Sequence, residues 1–170
     1  WVFIFTNAMP ALGGVLGWDW LANISWFGTP SMATVTIIVV SIWQNIGFLM
    51  IIYTAGLQTI PKDVMESAEL DGCSGLKKVL KIELPLLMPT VTINLFVSIS
   101  GAFKSFDIPN AMTGGGPYGS TMPVAMNIYQ EAFTKYNLGY GSAKSVILFL
   151  TVAAVTLIQL YCTRKKEVEY

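Results

Sequence analysis

Long runs without a single charge, broken by short charged stretches, set the pattern of this chain. Residues 1–18 carry no charged side chain, and after Asp19 an uncharged run extends from Trp20 to Pro61, 42 residues. Further uncharged runs cover 84–103, 108–130 and 145–163, of 20, 23 and 19 residues. A helix needs roughly 20 mostly apolar residues to cross the hydrocarbon core of a bilayer. Three segments are apolar enough: about Met32–Thr54, Leu87–Phe106 and Ala143–Cys162. The run 108–130 is not, because Pro109, Asn110, Thr113-Gly-Gly-Gly-Pro117 and Gly119-Ser120-Thr121 make it rich in turns. The pattern predicts an all-α fold, a polytopic transmembrane helical bundle with about three full spans. The opening residues Trp1–Phe5 are apolar too. They read as the end of an earlier span, so residues 1–170 read as one truncated transmembrane domain, the C-terminal part of a longer protein.

Composition narrows the class. The 170 residues are 54% hydrophobic and 12% charged, against about 25% charged in soluble domains. Ten Lys+Arg balance ten Asp+Glu. That excludes a nucleic-acid binder working through a broad basic surface, and equally a highly charged disordered chain. There is no His, and the only cysteines are Cys73 and Cys162. A zinc site is nearly excluded, as is any Ser-His or Cys-His nucleophile pair. No catalytic residue, metal ligand or cofactor is expected.

Lys and Arg give the orientation. Seven of ten fall in two places: Lys62, Lys77, Lys78 and Lys81 in the loop 61–85, and Arg164, Lys165 and Lys166 in the tail. Segment 6–31 has none and loop 108–142 has one, Lys135, before Lys144 in the last span. Loop 61–85 and the tail are therefore expected in the cytoplasm, with 6–31 and 108–142 outside. Trp18, Trp20 and Trp26 suit the outer membrane–water interface, and Pro30-Ser31 reads as a helix start. Both cysteines fall on the reducing side, so a disulfide is not expected.

The loop 61–85 reads as two short helices bent at Gly72. Pro61 suits a first helical turn, Asp63 and Glu66 sit near a helix start, and Val64, Met65 and Ala68 share a side. Gly72 suits the left-handed position that ends a helix. Ser74 can cap a second helix with Leu76, Val79 and Leu80 as its apolar positions, closed by Pro85. Either a loop folded on its own bundle or a projecting lever fits this amphipathic pattern.

The residues themselves decide between these. Glu66-Ser-Ala-Glu-Leu-Asp-Gly72, preceded by Gly56-Leu-Gln-Thr-Ile-Pro61 and followed by Ile82-Glu-Leu-Pro85, resembles the "EAA" loop of membrane subunits in binding-protein-dependent ABC importers. Trp43-Gln-Asn-Ile-Gly-Phe48, Phe106-Asp-Ile, Thr113-Gly-Gly-Gly-Pro117 with Ser120-Thr121, Ile128-Tyr129 with Ala132-Phe133, and Gly139-Tyr-Gly-Ser-Ala143 are similar to the signatures of the carbohydrate-uptake branch. These belong to the MetI-like type I importer transmembrane domain, of the kind found in the larger membrane subunit of maltose importers. Ser67, Cys73, Asn45 and Gly47 depart from the common pattern without changing its character.

The resemblance implies an ATP-driven carbohydrate importer's permease subunit in a bacterial-type inner membrane. Its partners would be a cytoplasmic ATP-binding cassette ATPase dimer, a second homologous permease subunit and an extracytoplasmic solute-binding protein seated partly on loop 108–142. Glu66, Ala68, Asp71 and Gly72 would couple to the ATPase, because this chain has no phosphate-binding loop of its own. Gln44, Asn45 and Phe48 on one span, and Gly101, Ala102 and Ser105 on the next, would contact the sugar. Amides and an aromatic face suit a polyhydroxylated ring. The competing role for these amides and small residues is helix–helix packing. Lys104 is expected to pair with Asp107 three residues on, the alternative being contact with an acidic sugar or phosphate. A secondary, ion-coupled transporter is the other class considered, but it should show mid-span carboxylates or broken helices. None of the three spans carries a mid-span carboxylate.

Overall fold

A computed structural model describes residues 1–165, so the expected tail residue Lys166 lies outside the described residues. Helices account for all regular structure among them. In chain order they are α1 (Ile4–Leu16), α2 (Asp19–Ala22), α3 (Pro30–Gln58), α4 (Lys62–Leu70), α5 (Leu76–Leu86), α6 (Met88–Phe103), α7 (Asp107–Thr113), α8 (Val124–Tyr129) and α9 (Leu138–Arg164). A wide π-type turn over Gln130–Thr134 continues α8.

α3 and α9 are each long and apolar enough to cross a membrane, with 29 and 27 residues. α3 starts at Pro30 as the sequence predicts, and the Thr29 hydroxyl accepts the Met32 amide at 3.4 Å to cap it. Most apolar side chains on both are exposed, among them Ile38, Ile42, Ile51, Ile147, Phe149 and Ile158. A helix apolar all round is stable only in lipid or against other helices.

The middle span differs from expectation. α6 has 16 residues and stops at Phe103, a length of about 24 Å at 1.5 Å per residue, short of the roughly 30 Å hydrocarbon core. It is joined to α5 by a bend of 70° at Leu87. Pro85 does not close the loop helix, as the sequence suggested; the helix runs through it to Leu86. A π-type turn over Val79–Glu83 precedes it. The break falls instead just before Pro89, which has no N–H to offer the carbonyl of Pro85.

Segment 6–31, expected as an outer loop, is mostly helical. Pro10 follows a π-type turn over Ile4–Ala8 within α1, and Gly17 ends that helix. Trp18 and Trp20 are exposed and stack at 6.4 Å, whereas the half-buried Trp26 ring packs 5.0 Å from that of Phe5.

The chain divides into two compact units. One comprises residues 1–44 and 103–146; Phe5, Leu21, Ala33, Val40, Met126 and Ala132 are buried in it. The other comprises, among the described residues, 45–102 and 147–165, with Ile60, Ala68, Thr92, Asn94 and Thr156 buried.

Candidate functional site

The loop 61–85 forms two helical arms. Pro61, extended at ψ 135°, precedes α4, whose first turn holds Asp63. Ala68 is buried and Met65 half-buried, while Lys62, Asp63, Val64, Glu66 and Ser67 are exposed. α4 ends at Leu70, and Gly72 follows in the left-handed region at φ 72° with open space around it. Any residue with a Cβ is disfavoured there by about 1 kcal/mol. The Cys73 amide returns to the Ala68 carbonyl at 2.9 Å, closing the bend. Ser74 does not cap the second arm; Gly75, at φ 57° and ψ −136°, precedes α5 and no side chain bonds its free amides.

Across the bend Lys78 Nζ lies 2.7 Å from Glu69 Oε1. That hydrogen bond, then the charge of Lys78, holds the Glu69 carboxyl below its ordinary range. In return, the same bond raises Lys78. Of the expected coupling residues, Glu66, Asp71 and Gly72 are exposed and Ala68 faces inward. Leu70 and Leu76 remain 89% and 77% exposed, and Val79 and Leu80 are exposed too. Four exposed apolar side chains around one bend make a surface suited to a partner.

Gln44, Asn45 and Phe48 lie mid-way along α3, all exposed. Gln44 and Phe48, four residues apart, share one face. Gly101 and Ala102 are exposed in the last turn of α6, and Ser105, half-buried, follows its end. A Cβ added at Gly101 or Gly47 would meet nothing within 4 Å, so packing inside this chain does not require glycine at either position.

Lys104 makes no ion pair with Asp107; among the described residues the ion pairs are Lys78–Glu69, Lys135–Glu131 and Lys144–Glu131. The i,i+3 rule needs a continuous helix, and here α6 has already ended at Phe103 while Asp107 opens α7 after Phe106 at φ −141°.

Loop 108–142 is more ordered than its glycines suggested. Thr113 Oγ1 and Thr121 Oγ1 share a hydrogen bond at 2.7 Å, and Thr121 Oγ1 donates to the Gly116 carbonyl at 2.6 Å. The Thr-Gly-Gly-Gly-Pro stretch is thereby clasped shut. α8 at Val124–Tyr129 passes directly into the π-type turn over Gln130–Thr134, one continuous helical stretch. That turn carries a cluster sequence reading missed. Glu131 is buried and accepts from Lys135 Nζ at 2.9 Å, with Lys144 Nζ at 3.5 Å. Lys144 also donates to Asn127 Oδ1 at 2.7 Å and lies 4.4 Å from the Tyr140 ring centre. The hydrogen bond from Lys135 lowers Glu131's pKa most; burial opposes it, and the charges of Lys135 and Lys144 add to the lowering. Glu131 and Lys135 at i,i+4 were the available signal; Lys144, on another helix, was not.

Apolar spanning helices and a bent, charged helical loop define an integral membrane protein of helical type. Residues 1–168 match the family of binding-protein-dependent transport system inner membrane components, and the chain belongs to that family. It is 36% identical over 169 residues to the "Probable starch degradation products transport system permease protein" of Thermoanaerobacterium thermosulfurigenes, covering 99% of this chain and 57% of that one. It is 40% identical over 145 residues to the sulfoquinovosyl glycerol transport system permease protein of Agrobacterium fabrum, 85% of this chain and 47% of the relative. With the trehalose/maltose transport system permease protein of Thermococcus litoralis it shares 33% over 163 residues, 94% and 54% respectively. The chain thus spans about half the length of these curated relatives.

Proposed function

We propose that this chain is part of the permease subunit of an ATP-driven importer that carries a carbohydrate across the cell membrane. ATP is hydrolysed by a separate cytoplasmic ATPase dimer, which docks on loop 61–85. The observation that carries this reading is the two-armed bend at Gly72, braced by Lys78–Glu69 and ringed by exposed Leu70 and Leu76. A braced lever transmits a push where a flexible loop would absorb it. Glu66, exposed on α4, pairs with a basic group of the ATPase; Gly72 lets the bend approach closely, and Asp71 lies at its rim.

The sugar reading draws on relatives whose names specify starch degradation products, sulfoquinovosyl glycerol and trehalose/maltose, all polyhydroxylated. Gln44, Asn45, Phe48, Gly101, Ala102 and Ser105 supply contacts of matching chemistry. A second homologous permease subunit covers exposed faces of α3 and α9, and a solute-binding protein engages loop 108–142 from outside. Nothing favours the ion-coupled transporter: the broken α5–α6 pair bends beside the charged loop, and no carboxylate lies within α3, α6 or α9.

Glu66→Lys and Gly72→Asp in the complete permease test this. Both positions are exposed, so membrane insertion should persist while the ATPase no longer copurifies and sugar uptake is lost. Uptake surviving both changes removes the coupling role.

A further inference from the structure

Asn94, on α6, retains 2% of its surface, and neither its Nδ2 nor its Oδ1 has a hydrogen-bond partner among the described residues. A buried polar group is normally paired. Both atoms are already covered by this chain itself, so no docking subunit, binding protein or lipid reaches them in this arrangement. Packing alone does not explain the residue, since Leu fills a similar volume with no polar atom to desolvate. Gln159 of α9 contrasts with it only in part, since Gln159 Oε1 is also buried without a partner among the described residues. Its Nε2 donates to the Thr92 carbonyl at 3.4 Å and to Thr163 Oγ1 at 3.2 Å, which ties α9 to α6.

The place of Asn94 on its helix says what the amide can meet. Thr90, four residues earlier on the same face, fills the notch at Gly56 of α3; a Cβ there would stand 2.7 Å from Thr90 Cγ2. Seven residues beyond Asn94, again on that face, is Gly101, about 10 Å further along at 1.5 Å per residue. On α3 the face of Gly56 runs in the same way, through Leu49, to Asn45. Asn94 therefore lies between the tight Gly56–Thr90 contact and the open end of α6, where a Cβ at Gly101 meets nothing.

We propose that Asn94 is a further solute contact, a hydrogen-bonding station for a hydroxylated solute moving from the Gly101 end of α6 toward loop 61–85. With α6 closed the amide is unpaired and disfavours that state. When the face opens, hydroxyls of the passing solute supply both a donor and an acceptor, which the amide matches. This rests on the importer reading above and adds a contact that it does not contain.

The test uses the complete permease with its ATPase and binding protein in proteoliposomes, supplied with radiolabelled maltose, trehalose or glycerol 3-phosphate. Asn94→Leu, Asn94→Ser and, as a packing control, Gln159→Leu are compared with wild type. The expected result for Asn94→Leu is normal complex yield, with uptake of the preferred solute lower by roughly tenfold and the ranking of solutes changed. Asn94→Ser, which keeps a donor and acceptor, recovers part of the rate. Gln159→Leu lowers yield without altering the ranking. Unchanged uptake and ranking in Asn94→Leu overturns the proposal. So does yield falling in step with uptake at constant ranking, in both Asn94 variants. If wild type itself moves none of the three solutes while the complex is intact, the importer reading fails first and takes this inference with it.

Discussion

Lys78 Nζ stands 2.7 Å from Glu69 Oε1, and this pair joins α4 to α5 across the bend at Gly72. The two side chains differ in exposure, 16% for Lys78 and 63% for Glu69, so the lysine is the seated partner and the carboxylate closes over it. Surface ion pairs contribute little to global stability. Their use here is geometric, since nine residues and a left-handed glycine separate the two and little else crosses the gap.

Breaking the brace should therefore loosen the loop without unfolding the spans. Glu69→Lys or Lys78→Glu alone is expected to speed amide exchange over residues 70–76, and the double swap to restore protection. The pH dependence has a definite sign. Glu69 is depressed below its ordinary 4.5, so its contribution is full above that value and fades as pH falls through the lower folded value. Lys78 is raised above 10.5, so its contribution is full below that value and is lost as pH climbs through the folded one. Exchange measured between pH 5 and 9 should show no pH-specific loss of this brace, and a loss within that window would remove it as the cause.

The uncharged runs exposed α3 and α9 because period and length suffice for a helix surrounded by lipid. α6 was read as too long because charge alone marked its limits; its ends are set by the missing N–H of Pro89 and by the non-helical Phe106, which composition does not register. Gly72 was legible since only glycine enters φ 72° freely. Ser74 was not, because side-chain capping depends on a backbone path that Gly75 redirects. Asn94 and Lys144 owe their interest to neighbours distant in sequence.

Glu131 offers a second pH test, in loop 108–142. Its carboxyl is held low, chiefly by Lys135. The contribution is complete above the ordinary 4.5 and declines only as pH falls beneath it. Glu131→Gln should lower the thermal midpoint, because Lys144 keeps Asn127 but loses a neutralising charge. Adding Lys144→Met should cost less than the sum of the two single changes. Strict additivity in a differential scanning measurement would show that the two do not interact.

Orientation can be read by labelling, provided the right cysteine is used. Native Cys73 is buried, so it reports poorly from either side. In a background lacking both cysteines, Leu70→Cys, 89% exposed, and Gly119→Cys, also exposed, are the better pair. A membrane-impermeant maleimide applied to sealed cells should label Gly119→Cys at once and Leu70→Cys only after lysis. The reverse order would invert the orientation inferred from Lys and Arg.

The proposed sugar contacts separate from packing by what survives their removal. Asn45 is exposed on α3, and Ser105 is half-buried beyond the end of α6. Losing one hydrogen bond to a buried sugar hydroxyl is expected to cost about 1–3 kcal/mol, so Asn45→Leu should lower uptake by roughly ten- to a hundredfold. Complex yield near wild type is the outcome that a solute contact requires. Ser105→Leu adds bulk at a half-buried position and should shift the ranking of sugars toward smaller ones. If these residues instead hold helices together, yield falls with uptake and the ranking never moves. Measuring uptake of several sugars beside complex yield for both variants decides it, because a packing contact has no means of telling one sugar from another.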